Sequence, residues 1–307
     1  MKILILGGCG FIGSHLAVTF LEDEHDVTIF DHVSAHISNI ESIKNKIQLI
    51  LGDFNDEKDL QKAVHGNEIV VHLISSVIAS NALNQIVCDV KFNVIGSIKL
   101  FDICVKENVK KIIYLSSGGT VYGATPDIPI KENRLLNPIN SYGVTKVAVE
   151  KYLVMYGYQY NLDYSIIRLS NPYGERQKPN TGQGVVATWL HKVKEKKPIE
   201  IWGDGSVIRD FIYIKDAVLG IKKAALTSDP VNVVNIGSGE GCSLNHLHSE
   251  IEKCVGKKID ITYHAMRNID VKENVLDVSL AKKSLNWSAN ISLQEGLSYT
   301  WASIFGE

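Results

Sequence analysis

The stretch Gly7-Gly-Cys-Gly-Phe-Ile-Gly13 decides the fold of this 307-residue chain. It follows the short apolar run Ile3–Leu6 and precedes apolar residues at helical spacing, so it joins a predicted strand to a predicted helix. Glycine recurs at every third position of the stretch, at 7, 10 and 13. The first such glycine allows a tight turn, the second lets a pyrophosphate approach the backbone, and the third lets helix and strand pack closely.

A dinucleotide-binding loop is therefore predicted, because the free N–H groups and positive dipole end of the helix would face the phosphates. The residues expected to contact the cofactor here are Gly7, Gly10, Phe11, Ile12 and Gly13. A glycine-rich turn without a ligand is the alternative, but it does not explain the regular spacing of the glycines.

Further apolar runs alternate with helical patterns along the chain. Those expected to be strands are Val27–Phe30, Ile47–Leu51, Ile69–Leu73, Ile112–Leu115, Tyr164–Leu169 and Val231–Ile236. Continuous apolar runs between helices indicate parallel strands covered on both faces, and right-handed crossovers then give a doubly wound sheet. We predict an α/β fold with a Rossmann-type doubly wound parallel sheet, which binds ligands at the carboxyl ends of its strands.

The segments at about 172–204 and 239–307 have no obvious place in that sheet, although they contain helical and strand patterns. They are expected to form a smaller interleaved α/β lobe. The dinucleotide-binding domain would then comprise residues 1–171 and about 205–238.

Composition excludes several classes of protein. Lys and Arg number 32 against 34 Asp and Glu, so a net charge of −2 provides no electrostatic footprint for nucleic acid or an anionic membrane. No apolar run reaches the ~18 residues that span a bilayer, and the N-terminus has no signal-peptide anatomy. Five scattered cysteines without CxxC spacing are typical of thiols in a reducing compartment. We expect a cytoplasmic protein without a metal, nucleic-acid or membrane partner.

Asp31 ends the second predicted strand. A carboxylate there can accept hydrogen bonds from both ribose hydroxyls and repels a 2′-phosphate, and residues 32–36 contain no Arg or Lys to neutralise one. NAD is therefore preferred to NADP. Asp53 and Phe54, which follow the third predicted strand, could flank the adenine, although a polar strand-end turn explains them nearly as well.

Tyr142 and Lys146 lie four positions apart, on one face of a predicted helix. A neighbouring ammonium and a positive nicotinamide ring would favour the phenolate of a tyrosine, whose pKa in water is about 10. Tyr142 could then take a proton from a sugar hydroxyl while a hydride leaves the same carbon for NAD. Lys146 would also bind the nicotinamide ribose. A surface helix with a simple Tyr–Lys contact is the alternative.

Taken together, these motifs resemble the extended short-chain dehydrogenase/reductase family, in its nucleotide-sugar epimerase/dehydratase branch. The resemblance covers nearly the whole chain and also includes Asn93, Ser116–Gly123, Arg168–Gly174, Trp202–Gly205, Arg209–Phe211 and Asn235–Gly237. It implies NAD as cofactor and the 4-epimerisation of a UDP-sugar of the glucose/galactose type. It also implies a homodimer through the Tyr142 helix and its neighbour. Val147, Val149, Leu153 and Val154 could supply its apolar contacts, or could belong to the intramolecular core.

The resemblance implies further site residues. They are Leu73, Ser116 and Pro172 at the cofactor, and Thr120, Asn171, Arg209 and Arg267 at the substrate. Guanidinium groups suit diphosphate oxygens, so the two arginines would grip the nucleotide. Arg209 could instead form a structural bridge to Asp210 or Asp204. Arg267 stands in Arg-Asn-Ile-Asp, where the family pattern is Arg-Pro-Gly-Asp.

Gly118 departs from the family pattern, because many relatives carry Ser or Thr there to bridge substrate and tyrosine. Ser117 is the candidate for the third catalytic residue, although adjacent residues of a strand point to opposite faces. A shifted backbone could present Ser117 or Thr120, a water could substitute, or Tyr142 could act without a hydroxyl partner.

The residues that follow Gly118 distinguish dehydratases from the other enzymes of this branch. Dehydratase relatives carry Asp-Glu where this chain has Gly119-Thr120, so dehydration is not expected. The remaining readings are an epimerase, an NAD(P)H-dependent 4-keto nucleotide-sugar reductase, and a catalytically silent NAD-sensing regulator. Asp31 favours the epimerase over the reductase.

Overall fold

The computed structural model describes residues 1–75, 86–179, 184–265 and 271–305. The strands are β1 Lys2–Leu6, β2 Asp26–His32, β3 Gln48–Gly52, β4 Ile69–His72, β5 Lys111–Ser117, β6 Asp163–Leu169, β7 Asn171–Tyr173, β8 Ile199–Trp202, β9 Ile208–Tyr213, β10 Val233–Ile236, β11 Gly241–Ser243, β12 Ile261–His264 and β13 Glu273–Asn274. The α-helices are α1 Phe11–Glu22, α2 Glu57–Val64, α3 Ile86–Asp89, α4 Gly96–Lys106, α5 Ser141–Tyr160, α6 Val185–Lys194, α7 Ile214–Leu226, α8 Leu244–Val255, α9 Ser279–Leu285 and α10 Leu293–Phe305. A 3₁₀ helix spans Ile37–Lys46, and a π-helical segment, Val90–Ile95, joins α3 to α4.

Seven parallel strands form the main sheet, in the order β10-β6-β5-β4-β1-β2-β3. Every strand predicted from the apolar runs lies in it, so the Rossmann-type fold is confirmed. Helices cover both faces: α1 and α7 bury their apolar residues on one side, and α2, α4 and α5 on the other. This two-sided burial explains why Ile3–Leu6 is continuously apolar and wholly buried.

The strand order reverses at β1, which pairs with β2 on one side and β4 on the other. In open α/β sheets the crevice at such a reversal is the ligand site. The carboxyl ends of these parallel strands therefore converge on one edge. The glycine loop follows β1, Asp31 lies near the end of β2, Asp53 and Phe54 follow β3, Leu73 follows β4, and Ser116 and Ser117 end β5.

The later part of the chain forms smaller sheets. β9 pairs with β7, β11 and β13, and β8 pairs with β12. Because β9 lies in the smaller sheet and β10 in the large one, residues 205–238 contribute to both, and the boundaries of the two domains stay a prediction. Among the helices of the described residues, none is long and apolar enough to cross a membrane.

Candidate functional site

Two positions of the glycine loop, 7 and 13, require glycine. Gly7 has a left-handed φ of +85°. A Cβ on Gly13 would lie 2.3 Å from the carbonyl oxygen of Gly7, so helix α1 can approach β1 only if this position is glycine. Gly10 is the N-cap of α1 and is exposed, and a Cβ there would meet only the Gly7 carbonyl oxygen, at 3.2 Å. This cradle at a helix N-terminus fits a dinucleotide pyrophosphate, with the backbone of Gly10, Phe11 and Ile12 as the expected contact.

Asp31 lies beside this loop. Its carboxylate accepts hydrogen bonds from the backbone N–H groups of Cys9 (2.9 Å) and His32 (2.8 Å). Asp31 and Cys9 border a cavity of about 320 Å³, which is lined by Cys9, Gly10, Phe11, Asp31, Ala35, His36, Asn39, Arg176, Gln177 and Lys178. The cations Arg176 and Lys178 were missed by sequence reasoning, because they follow β7 and only the tertiary fold brings them to the loop.

The other predicted cofactor residues in the first half of the chain, Leu73, Asp53 and Phe54, differ in which of their atoms are accessible to a ligand. Leu73 lies next to Gly7, and its backbone N–H donates to the carbonyl of Leu6. The Asp53 carboxylate accepts from the N–H of Asn55. The ring of Phe54, by contrast, is buried in the hydrophobic core, 5.2 Å from the ring of His72. That ring is therefore a packing element, and the expected adenine contact can involve only its backbone.

Tyr142 and Lys146 lie on the first turns of α5, which begins after Asn140. The Asn140 side chain caps the helix by accepting from the N–H of Gly143 (2.8 Å). The buried ammonium of Lys146 donates to the carbonyl of Leu115 (2.9 Å) and lies 5.5 Å from the centroid of the Tyr142 ring. Ser117 lies close enough to the phenol of Tyr142 to act on the pKa of that group as a hydrogen-bonding neighbour. The predicted triad of Ser117, Tyr142 and Lys146 is thus brought together at the end of β5.

Burial dominates the protonation of this triad. It raises the pKa of Tyr142 to about 12, and the charge of Asp89 adds to the increase, while the hydrogen bond with Ser117 opposes it. Burial also lowers the pKa of Lys146 to about 8. The cost of removing a phenolate from water dominates the pKa of Tyr142, and the expectation that the ammonium and the nicotinamide ring together favour the phenolate stays a prediction.

Packing explains why position 118 is glycine. A Cβ there would lie 2.5 Å from Cδ1 of Leu276, and the carbonyl of Gly118 accepts from the side-chain amide of Asn274 (3.0 Å). With this backbone fixed, Ser117 reaches Tyr142. Ser117 as the hydroxyl partner of Tyr142 stays a prediction. The hydroxyl of Thr120 is buried and has no hydrogen-bond partner within the described ranges.

Ser116 points to the opposite side of β5, as strand alternation requires. Its hydroxyl donates to Glu150, which forms a two-bond ion pair with Arg168: Nη2 to Oε2 at 2.7 Å and Nε to Oε1 at 3.2 Å. All three side chains are buried. The Ser116 side chain therefore supports this ion pair, which leaves its backbone for the expected cofactor contact.

Arg168→Met is expected to lower the free energy of unfolding by about 3–5 kcal/mol, because it leaves the buried Glu150 carboxylate without a counter-charge. Urea unfolding measures the change. Arg134→Met is the matched control, since Arg134 forms an exposed ion pair with Asp127, and such pairs contribute only about 0–1 kcal/mol. Adding Glu150→Gln to Arg168→Met should restore part of the stability. Equal losses in the two arginine variants would contradict this account of the buried pair.

Two of the predicted substrate residues, Asn171 and Arg209, lie on β7 and β9 of the smaller sheet. Asn171 begins β7; its side-chain amide donates to the carbonyl of Asp210 (3.0 Å), and Pro172 follows it. Arg209 donates through Nη1 to the backbone carbonyls of Ile208 (2.9 Å) and Val271 (2.7 Å). Arg267 lies outside the described residues.

Comparisons with known proteins agree with this geometry. The sequence profile of the NAD dependent epimerase/dehydratase family matches residues 3–237. The chain is 33% identical to the UDP-glucose 4-epimerase of Mycolicibacterium smegmatis, over 98% of this chain and 97% of that protein. The crystal structure of the Thermotoga maritima UDP-glucose 4-epimerase with UDP-glucose has a TM-score of 0.94 and 32% identity, covering 100% and 99% of the two chains. The Bacillus cereus UDP-glucuronic acid 4-epimerase, in complex with UDP-glucuronic acid and NAD, has a TM-score of 0.93 and 29% identity, with the same coverage.

Proposed function

This chain belongs to the NAD dependent epimerase/dehydratase family, and we propose that it is a UDP-sugar 4-epimerase of the UDP-glucose/UDP-galactose type. NAD is its cofactor. The observation that carries the proposal is the buried ammonium of Lys146, which lies 5.5 Å from the ring of Tyr142 and donates to the carbonyl of Leu115 near the end of β5, where Ser117 also lies. The glycine loop that holds the dinucleotide follows β1, two strands away across the same edge of the sheet.

Each residue of the triad has one chemical task. NAD, when bound, accepts a hydride from a substrate carbon and returns it. Tyr142 takes the proton of the hydroxyl on that carbon and later gives it back, so that a 4-keto sugar forms and is reduced again without net oxidation. Ser117 orients the reacting hydroxyl and the phenol by hydrogen bonding. Lys146 supplies the positive charge that stabilises the phenolate as the proton moves.

The substrate would be held from the lobe side. Asn171 and Thr120 are proposed to contact the sugar or the adjacent phosphate, and Arg209 and Arg267 the diphosphate, where guanidinium forks match phosphate oxygens. Gly119 and Thr120 place neither an acid nor a base where the dehydratases of the branch carry both. A 4-epimerase therefore fits this segment better than a dehydratase.

Incubation of the NAD-loaded protein with single UDP-sugars tests the proposal. UDP-glucose and UDP-galactose should interconvert, with the products identified by proton NMR; the N-acetylated sugars and UDP-glucuronic acid define the substrate range. Loss of NADH with a 4-keto sugar, in place of interconversion, would indicate the reductase. Tight NAD binding with no turnover of any of these sugars would overturn the proposal and favour the regulator.

We expect turnover to decline as the pH rises through about 8. Burial places the pKa of Lys146 there, and above it the ammonium loses its proton and no longer stabilises the phenolate. The pH dependence of kcat between about pH 6 and 10, at saturating substrate, checks this expectation. A kcat that stays constant or rises through pH 9 would show that the charge of Lys146 is not required.

A homodimer through α5 and its neighbouring helices is part of the same proposal. Val149 and Leu153 belong to the intramolecular core, which is one of the two alternatives that the sequence left open for them. The exposed apolar residues of α5 are Val144, Tyr152, Val154, Met155, Tyr158 and Tyr160. Light scattering of the purified protein tests for the dimer. A cytoplasmic location stays a prediction.

A further inference from the structure

A fully buried carboxylate that the proposed mechanism does not use lies beside the triad. Asp89, the last residue of α3, has no exposed surface. It accepts hydrogen bonds from the amide of Asn93 (2.7 Å) and from the hydroxyls of Ser141 (2.8 Å) and Thr145 (3.1 Å). Burying a charge is costly unless it is paired, so a retained carboxylate that is held by neutral donors calls for an explanation.

Two of the hydrogen bonds of Asp89 hold helix α5, which carries Tyr142 and Lys146. Ser141 and Thr145 are four residues apart and so share one face of α5, and each directly precedes a triad residue, Tyr142 or Lys146. Fixing both hydroxyls to one carboxylate fixes the rotation of the first turns of α5. The anionic group also lies at the N-terminus of this helix, where the helix dipole favours negative charge.

The charges around Lys146 come from several elements. The titratable and charged groups that face it are Tyr142 and Glu150 on α5, Asp89 on α3, Tyr114 on β5 and His72 on β4, with Arg168 of β6 behind Glu150. Burial keeps His72 and Tyr114 neutral, because it lowers the pKa of the histidine to about 3 and raises that of Tyr114 well above its ordinary value. Glu150 is paired with Arg168, whereas Asp89 accepts its hydrogen bonds from neutral side chains, and both carboxylates raise the pKa of Lys146.

We propose that Asp89 is the positioning residue of the site: by accepting hydrogen bonds from Ser141 and Thr145, its buried carboxylate fixes the rotation of α5 that brings Tyr142 and Lys146 to the substrate. This rests on the proposed function. The π-helical segment after Asp89 is part of the arrangement, since π-helical turns are rare and occur frequently at functional sites. The charge of Asp89 acts on Lys146 in the direction that a positioning role for the charged lysine requires. Burial lowers the pKa of Lys146, and Asp89 opposes this lowering.

Two variants separate charge from geometry. Asp89→Asn removes the charge but keeps the shape and an acceptor oxygen. Thr145→Val removes one hydrogen bond and keeps the charge. For Asp89→Asn we expect the falling limb of the kcat–pH profile to move down by about one pH unit, since a nearby opposite charge shifts a pKa by 1–3 units. Its kcat relative to the native protein should fall about five- to tenfold at pH 8 and less than about twofold at pH 6.

Thr145→Val should lower kcat by a similar factor at every pH and leave the limb in place. Asp127→Asn, which removes an exposed carboxylate that is paired with Arg134, is the control and should change neither. An unmoved limb in Asp89→Asn would overturn the electrostatic role, even if kcat fell, because a purely structural residue lowers kcat without moving the limb. Asp89→Ser provides a second charge-free variant if the asparagine variant does not fold.

A direct titration keeps this test independent of turnover. Carbon-13 NMR of ε-labelled lysine, with Lys146→Met to assign the signal, reports the titration of Lys146 in the native protein and in Asp89→Asn. If the native protein turned over no UDP-sugar, the proposed function would fail, while the shift of the Lys146 titration would still decide the role of Asp89. Identical titrations in the two proteins would overturn the inference.

Discussion

Tyr142→Phe is expected to lower kcat for UDP-sugar epimerisation by about 10³-fold or more, because it removes the group that carries the proton in both half-reactions, and such catalysis contributes about 10²–10⁴ in each proton transfer. The ring remains, so the packing against Lys146 and the cofactor crevice is retained. The dissociation constant of NAD should therefore change by less than about threefold, a change below 1 kcal/mol.

Tyr158→Phe is the matched control, since Tyr158 lies on the same helix, α5, and is 93% exposed. It loses the same hydroxyl without touching the site and should keep full activity. Steady-state epimerisation and NAD titration by calorimetry measure both variants. An active Tyr142→Phe enzyme would remove Tyr142 from the mechanism, and Ser117 or a water would then have to move the proton.

Local sequence patterns were sufficient for the fold. The apolar runs gave all seven strands of the main sheet because both faces of that sheet are covered, so that every residue of a run such as Ile3–Leu6 is buried. The glycine loop and Asp31 were equally readable, because each depends on contacts within one strand–helix–strand unit. The family identified from these motifs, and NAD as its cofactor, are confirmed.

What the sequence could not give depends on contacts between distant segments. Arg176 and Lys178 reach the Asp31 cavity only through the folded chain. In the sequence, Gly118 stands where many relatives carry a hydroxyl side chain. The reason for the glycine is its close contact with Leu276 and Asn274, which lie far along the chain. The only sequence signal for Asp89 was its spacing of four residues from Asn93.

The sequence could also not supply the pKa values of the site residues. The Tyr142–Lys146 spacing suggested an activated phenol, whereas burial raises the pKa of that phenol to about 12. Spacing along a helix shows which groups are neighbours. The pKa depends in addition on how much water the fold removes, and that is a property of the tertiary structure.

Gly10→Ala is expected to weaken NAD binding by about 100-fold or more while leaving the fold intact. The new methyl group would meet one protein atom, the carbonyl oxygen of Gly7 at 3.2 Å, and would otherwise project toward the space where the pyrophosphate approaches the helix. Losing two backbone hydrogen bonds to charged phosphates, at about 1.5–3 kcal/mol each, corresponds to at least that factor in the dissociation constant. Calorimetric titration of NAD measures it, and the melting temperature without NAD should stay near that of the native protein.

Two other glycine variants separate cofactor binding from stability. Gly13→Ala would place its Cβ 2.3 Å from the Gly7 oxygen and 2.6 Å from Cα of Gly8, so it should lower the melting temperature even without NAD. Gly256→Ala acts at the left-handed C-cap of α8, where no atom of the described residues lies within 4 Å of the added Cβ. It should cost about 1 kcal/mol of stability through backbone strain and leave NAD affinity unchanged. If Gly10→Ala bound NAD as tightly as Gly256→Ala, the pyrophosphate would not lie against this loop. The proposal that Tyr142 lies opposite the nicotinamide would then be wrong as well, because it assumes this position of the pyrophosphate.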